Sequence, residues 1–127
     1  MVAPIVFALM LLTFEGGRLY FTWACLTEAS REGARTAVLA STTSTGTIAN
    51  AALSLTAWTG VTSANVTVAR NGTPVSGAFT KQRGDVMTVT ITFTYTVYIA
   101  QNNSAGWPGL PFATLPISVH TKMRAEG

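Results

Sequence analysis

Few residues in this chain of 127 are equipped for chemistry, and their spacing argues against catalysis. The single histidine, His120, has no cysteine or carboxylate near it in sequence and reads as an ordinary strand residue. The five acids are Glu15, Glu28, Glu32, Asp85 and Glu126, and nothing in their spacing makes a paired-carboxylate site for general acid–base work. Cys25 is the only cysteine, so no intrachain disulfide can form, and its apolar neighbours make it a small buried hydrophobe. No nucleophile elbow, phosphate loop or metal-ligand spacing is present. The expectation is therefore no catalytic, cofactor-binding or metal-ligating residue, no cofactor, and a chain that is not an enzyme.

What chemistry remains is that of contact and modification. Glu15 and Arg18 sit three apart in an otherwise apolar segment and can pair within a helix. Desolvated among subunits, each would need its partner; the alternative places both where a helix leaves lipid for water. Asn65-Val66-Thr67, Asn71-Gly72-Thr73 and Asn102-Asn103-Ser104 match the N-glycan acceptor pattern. Ser41, Thr42 and Thr43 open a hydroxyl-rich run that offers sites for O-linked sugar. Glycans are accordingly candidate partners.

Composition sets the context for these residues. Hydrophobic residues make up 48% of the chain and charged residues only 10%, against roughly 25% charged in an average soluble domain. An exterior so poor in charge is expected to be covered by membrane, neighbouring subunits or glycans. The net charge of +3 is spread thinly, without a Lys/Arg run, so no nucleic-acid partner is expected.

The elements that position these groups begin with an apolar run. From Met1 to Phe14 the only polar side chain is Thr13, and Glu15 is the first charge. That run is a buried core helix or, as preferred here, the tail of a longer apolar segment. The helical pattern continues to Ala40. On a helical wheel Leu26, Ala29, Gly33, Ala37 and Ala40 share one arc, while Glu28, Arg31, Glu32 and Arg35 lie opposite. Pro4 requires that the helix start or kink there. Gly16-Gly17 costs roughly 2 kcal/mol relative to two alanines and marks a flexible point. A helix of about 40 residues is roughly 60 Å long, whereas the remaining chain makes a globule about 25–30 Å across. Part of the helix must protrude. The expected division is residues 1–26 as protruding apolar helix, forming filament core or membrane segment, and 27–127 as globular head with the C-terminal half of the helix.

Beyond the helix, Ser41 to Gly46 reads as a loop, and Thr47 as the N-cap of a short helix with Ile48, Ala51, Ala52, Leu55 and Trp58 on one face, ended by Gly60. Val66 and Val68 alternate with polar residues before Asn71-Gly72, a type I′ hairpin signal. Met87 to Ile99 alternates apolar with threonine, which predicts a long antiparallel strand with one buried face. Ile117, Val119 and Met123 predict a last strand. Gln101 to Leu115 is expected to be a loop in which Trp107, Leu110 and Phe112 form a subunit-contact patch. The fold class is α+β: a long spine helix on a small antiparallel sheet of three or four strands, with a second short helix. In the spine, Val2, Ile5, Val6, Phe7, Leu11, Phe14, Phe21 and Trp23 are the expected packing residues, with Phe7, Phe14 and Phe21 seven apart and Leu11 and Cys25 completing a seam.

Three segments carry a family resemblance. Val2-Ala3-Pro4-Ile5 through Leu12, then Phe14-Glu15-Gly16-Gly17-Arg18-Leu19-Tyr20, then Ala29-Ser30-Arg31-Glu32-Gly33-Ala34-Arg35, resemble the TadE-like pilin family of the type IV pilus superfamily. The match covers about the first 40 residues closely and the last 40 loosely. Gly16 stands where the family's E-F-G-R patch has an aromatic, and the family's preceding apolar residues, which include a Glu, have no counterpart ahead of Met1. The resemblance implies a type IV pilin-like fold and a structural subunit that leaves the inner or cytoplasmic membrane, with the pilus assembly machinery, for an extracellular filament. It implies a homo-polymer packed through the N-terminal helix, with adhesion or motility as filament properties. The alternatives are a minor pilin, at the tip or priming assembly, and a membrane-anchored binding domain that does not polymerise.

Overall fold

The computed structural model describes residues 1–39, 42–98 and 111–126. Helix α1 runs without interruption over Ala3–Leu39. Pro4 falls in its first turn, where the missing N–H is one that no helix satisfies internally, and Gly16-Gly17 are passed without a break. A helix of this length extends about 55 Å. Strand β1 (Thr42–Ser44) leads into α2 (Thr45–Leu53). A 3-10 turn at Ser63–Asn65 then precedes β2 (Val66–Arg70), β3 (Thr73–Pro74), β4 (Ala78–Thr80), β5 (Val86–Tyr98) and β6 (Pro111–Arg124). A four-stranded antiparallel sheet has the order β3-β2-β5-β6, and β1 pairs with β4 in a second, two-stranded ladder. The α+β architecture with a long spine, a second helix and antiparallel sheets is the one expected.

The spine packs by its small-residue face. Leu26, Ala29, Ser30, Gly33, Ala34 and Ala37 are buried, together with Thr22 further up the helix. They meet the inward row of β5, where Met87, Val89 and Ile91 are fully buried. One cluster joins Leu26 and Ala29 to Ala52, Ile91 and Val119; a second joins Ala34 and Ala37 to Ile48, Val68, Met87 and Val89. Gly33 is the point of closest approach, since a Cβ there would stand 3.2 Å from Val89 Cγ1 and 3.3 Å from Ala52 Cβ. Ser30, the polar residue in this face, is satisfied by Thr121 Oγ1 at 2.7 Å and by donating to Thr27 O. At the far end, Lys81 Nζ donates to the carbonyls of Val38 and Ala37, closing acceptors that the last helical turn leaves open. Burial holds the Lys81 ammonium below its usual range.

Several local expectations need correcting. The N-cap of α2 is Ser44, whose Oγ accepts from Thr47 N at 3.2 Å; Thr47 lies inside the first turn. The stretch read as a loop supplies β1, paired through Thr43↔Phe79, because two short Thr/Ser-rich segments can share a ladder without apolar alternation. Helix α2 ends at Leu53, before Gly60, so Leu55 and Trp58 fall in the following turns and are exposed. Strand β6 starts at Pro111, which puts Phe112 in a strand where a loop was expected. An edge strand tolerates Pro111 and Pro116 because one side of its backbone needs no ladder partner. The hairpin turn is as read: Asn71 and Gly72 both take positive φ, 51° and 84°. Trp107, Leu110, Asn102, Ala40, Ser41 and Ile99 lie outside the described residues.

Asp85 fastens the end of the head opposite the spine's free segment. Its carboxylate pairs with Arg70 Nε at 2.7 Å and accepts from Gln82 N at 2.7 Å and Asn71 Nδ2 at 2.8 Å. The Gln82 backbone hydrogen bond first, then Asn71 and Arg70, hold Asp85 below the usual carboxylate range. A group whose folded value is lowered stabilises fully above its ordinary value and ceases to do so as pH falls through the lowered one. Asp85→Asn is therefore expected to weaken the fold at neutral pH, with the gap to the unsubstituted protein closing below about pH 4, read by thermal melts across pH. Gly33→Val is expected to cost about 1–3 kcal/mol by overpacking against Val89, measured by denaturant unfolding in mild detergent.

Candidate functional site

Every residue from Met1 to Phe14 is exposed. An apolar surface on all sides of a helix is unstable in water, where each large side chain left uncovered forgoes about 1.5–3 kcal/mol. Val2, Ile5, Val6, Phe7, Leu11 and Phe14 all project from this segment, Phe7 at 64% exposure and Phe14 at 67%. The helix contains a stretch long and apolar enough to cross a membrane, of which only 6% is buried in the head. Length and composition alone establish that much.

Among the described residues, Glu15 is the first spine residue with a side-chain hydrogen bond to the sheet. Its Oε1 pairs with Arg18 Nη1 at 2.8 Å, and its Oε2 accepts from the Tyr95 hydroxyl at 2.8 Å. Arg18 lies over the Tyr95 ring, 5.9 Å from its centroid. Tyr95 is buried, and burial first, then the Glu15 hydrogen bond, push its hydroxyl above the ordinary phenol range. The expected Glu15–Arg18 pair is thus present within one chain, and it has a third member that sequence reading missed. A signal was available: Tyr95 is the only residue with a hydroxyl in the inward row of β5, and a buried tyrosine hydroxyl needs a partner.

Just beyond this cluster the spine carries aromatics. Tyr20 and Trp23 stand 6.1 Å apart, and Phe21 stacks on Trp58 with centroids 5.2 Å apart. Leu19, Tyr20 and Trp23 face Leu115 to Ser118 of β6 across a groove. Of the expected packing set, Phe21 and Trp23 therefore differ from Val2 to Phe14 in having aromatic neighbours of their own. Cys25 is half-buried and free. Gly16 and Gly17 have open space where a Cβ would be.

The candidate sugar sites divide. Asn65 uses its Oδ1 to accept from Thr62 N and Oγ1. Asn71 is tied at both ends, donating to Asp85 and accepting from Val86 N at 2.8 Å. Thr43 is buried and Thr42 exposed. Sugar on Asn71 or Thr43 would displace native contacts; Thr42 is open. Among the described residues no group of three or more His, Cys, Asp or Glu is placed to hold a metal.

Tyr95→Phe is expected to lower stability by about 1–2 kcal/mol, because a hydrogen bond to a charged group is lost. Glu15→Gln, which retains an acceptor for Tyr95, is expected to cost less. Paired unfolding curves of the two variants check this ordering.

No curated protein and no solved structure matches the chain. Residues 1–35 match the model of the TadE-like protein family, the segment that comprises the exposed apolar run, the Glu15–Arg18 pair and the start of the small-residue face. The match covers 35 of the chain's 127 residues, all of them in the spine, and likens this N-terminal helix to that of a TadE-like protein.

Proposed function

We propose that the chain is a structural pilin subunit that polymerises through its N-terminal helix into an extracellular Tad-type, type IV pilus-like filament. The observation that carries the reading is the unbroken exposure of apolar side chains from Met1 to Phe14, joined to the family match over residues 1–35. Copies of the same helix supply a cover of the same length and chemistry. In this reading Val2, Ile5, Val6, Phe7, Leu11 and Phe14 form the filament core, with Phe21 and Trp23 at its edge. Residues 1–26 are the part that neighbours or lipid enclose, with 15–26 shared between that enclosure and the chain's own head. The same helix resides in the membrane before assembly machinery extracts it. Gly16-Gly17 is the place where the helix bends or stretches as subunits pack. The head faces outward, carrying any sugar at Thr42 or Asn65.

The charged side of the spine fits this role. Glu28–Arg31 and Glu32–Arg35 pair along the exposed face at 2.6 and 3.7 Å. Such surface pairs add little stability, but they keep that side of the helix polar where the spine passes between heads.

Phe7→Asp places a charge in the apolar core, where burial costs several kcal/mol. Filaments sheared from producing cells are expected to disappear with this variant, while the membrane fraction retains folded protein. Electron microscopy and subunit composition of the sheared material read the result. Filaments containing this chain throughout support the major-subunit reading; a few copies in filaments of another protein mark a minor pilin. Normal filaments built from the Phe7→Asp chain would overturn the proposed packing.

A further inference from the structure

The spine crosses from apolar to aromatic within a short distance. Its apolar segment, in which Thr13 is the one polar side chain, ends at Phe14, the neutralised Glu15–Arg18 pair follows, and Tyr20, Phe21 and Trp23 come next. Glu15 to Trp23 spans about 12 Å along the axis. At about 100° per residue, Phe21 and Trp23 flank the buried Thr22, and Tyr20 lines the groove against β6. The head adds to this level from outside the spine. Trp58, in the turns after α2, stacks on Phe21 and is 57% exposed, and its neighbour Leu55 is 47% exposed. On the other flank, Leu115 of β6 is exposed beside Tyr20 and Trp23.

We infer that these residues form an aromatic collar that seats the head directly on the lipid surface while the subunit is in the membrane. The inference rests on the membrane residence stated above. The occupant is the interfacial layer of a bilayer, because the collar is continuous with the apolar helix and has the interface's chemistry. Trp and Tyr concentrate at headgroup depth, where a ring is half in hydrocarbon and its N–H or O–H half in water. Arg18, paired with Glu15 and lying over the Tyr95 ring, sets a charge between the apolar segment and the collar, as basic side chains do near the end of a span. Trp58 and Leu55 are the telling members: their exposure has no use in the head's own core, and they reach lipid only if the head lies against it.

The test is fluorescence of the full chain reconstituted in phosphatidylcholine vesicles carrying bromine at shallow or deep acyl positions. Two proteins are compared. Trp23→Phe with Trp107→Phe leaves Trp58 as the sole tryptophan, and Trp58→Phe with Trp107→Phe leaves Trp23. Far-UV circular dichroism matching the unsubstituted protein qualifies each variant. The expected result is a blue-shifted Trp58 emission that loses more intensity to shallow bromines than to deep ones, as Trp23 does. Quenched Trp23 with red-shifted, unquenched Trp58 would overturn the seated head and leave membrane residence intact. Unquenched emission from both, with protein that fails to float with vesicles, would overturn membrane residence itself. Trp58 unquenched in vesicles but shielded from aqueous quencher in filaments would assign the collar to neighbouring subunits instead.

Discussion

A helix that is apolar around its whole circumference has no favourable face to turn toward water, and the free energy at stake grows with the area left uncovered. In this chain that constraint applies from Met1 to Phe14, while among the described residues the spine's side-chain hydrogen bonds to the sheet begin at Glu15. The rest of the structure answers to the division. Below it, small side chains let the helix lie close on β5 and α2, so the head is compact although the spine is long. Above it, Met1 to Phe14 stand exposed among the described residues, and in the proposed assembly their cover comes from a lipid layer or from other helices. Both environments demand the same apolar surface, so in the proposed reading one segment serves before and after assembly.

The Glu15–Arg18–Tyr95 cluster sits on the boundary between those regimes. An isolated carboxylate at the edge of an apolar segment would be costly to desolvate. Here one oxygen faces a guanidinium and the other a hydroxyl, so the charge is neutralised and hydrogen-bonded before any neighbour arrives. On the proposed assembly route the cluster passes from lipid boundary to protein interior without first having to find partners. It also joins the spine to the sheet at the point where their contact begins.

Much of this was legible in the sequence because periodicity is a local signal. The inner arc of Leu26, Ala29, Gly33 and Ala37, the alternation along β5 and the Asn71-Gly72 turn each declare themselves within a few residues. What escaped reading depends on partners far apart in the chain. The Tyr95 hydroxyl meets a carboxylate 80 positions away. Strand β1 becomes a strand only by pairing with β4, and a Ser/Thr run shows no alternation to announce it. The start of α2 was misplaced by three residues because several hydroxyl side chains in that run are equally able to cap. Spacing puts Trp58 on one helical face with Ile48, Ala51, Ala52 and Leu55, but α2 stops at Leu53 and the period no longer applies.

The spine's anchorage at Glu15 has a mechanical consequence. Fourteen residues beyond that tie make a rod about 21 Å long, stiff along its length and carrying two glycines beside its fixed end. Angular error at the base is multiplied at the tip: a tilt of about 6° moves it through about 2 Å, comparable to the offset between a ridge and a groove on a neighbouring helix. Bracing the base against the sheet through Tyr95, which meets Glu15 by its hydroxyl and Arg18 by its ring, thus limits the wander of the apolar segment.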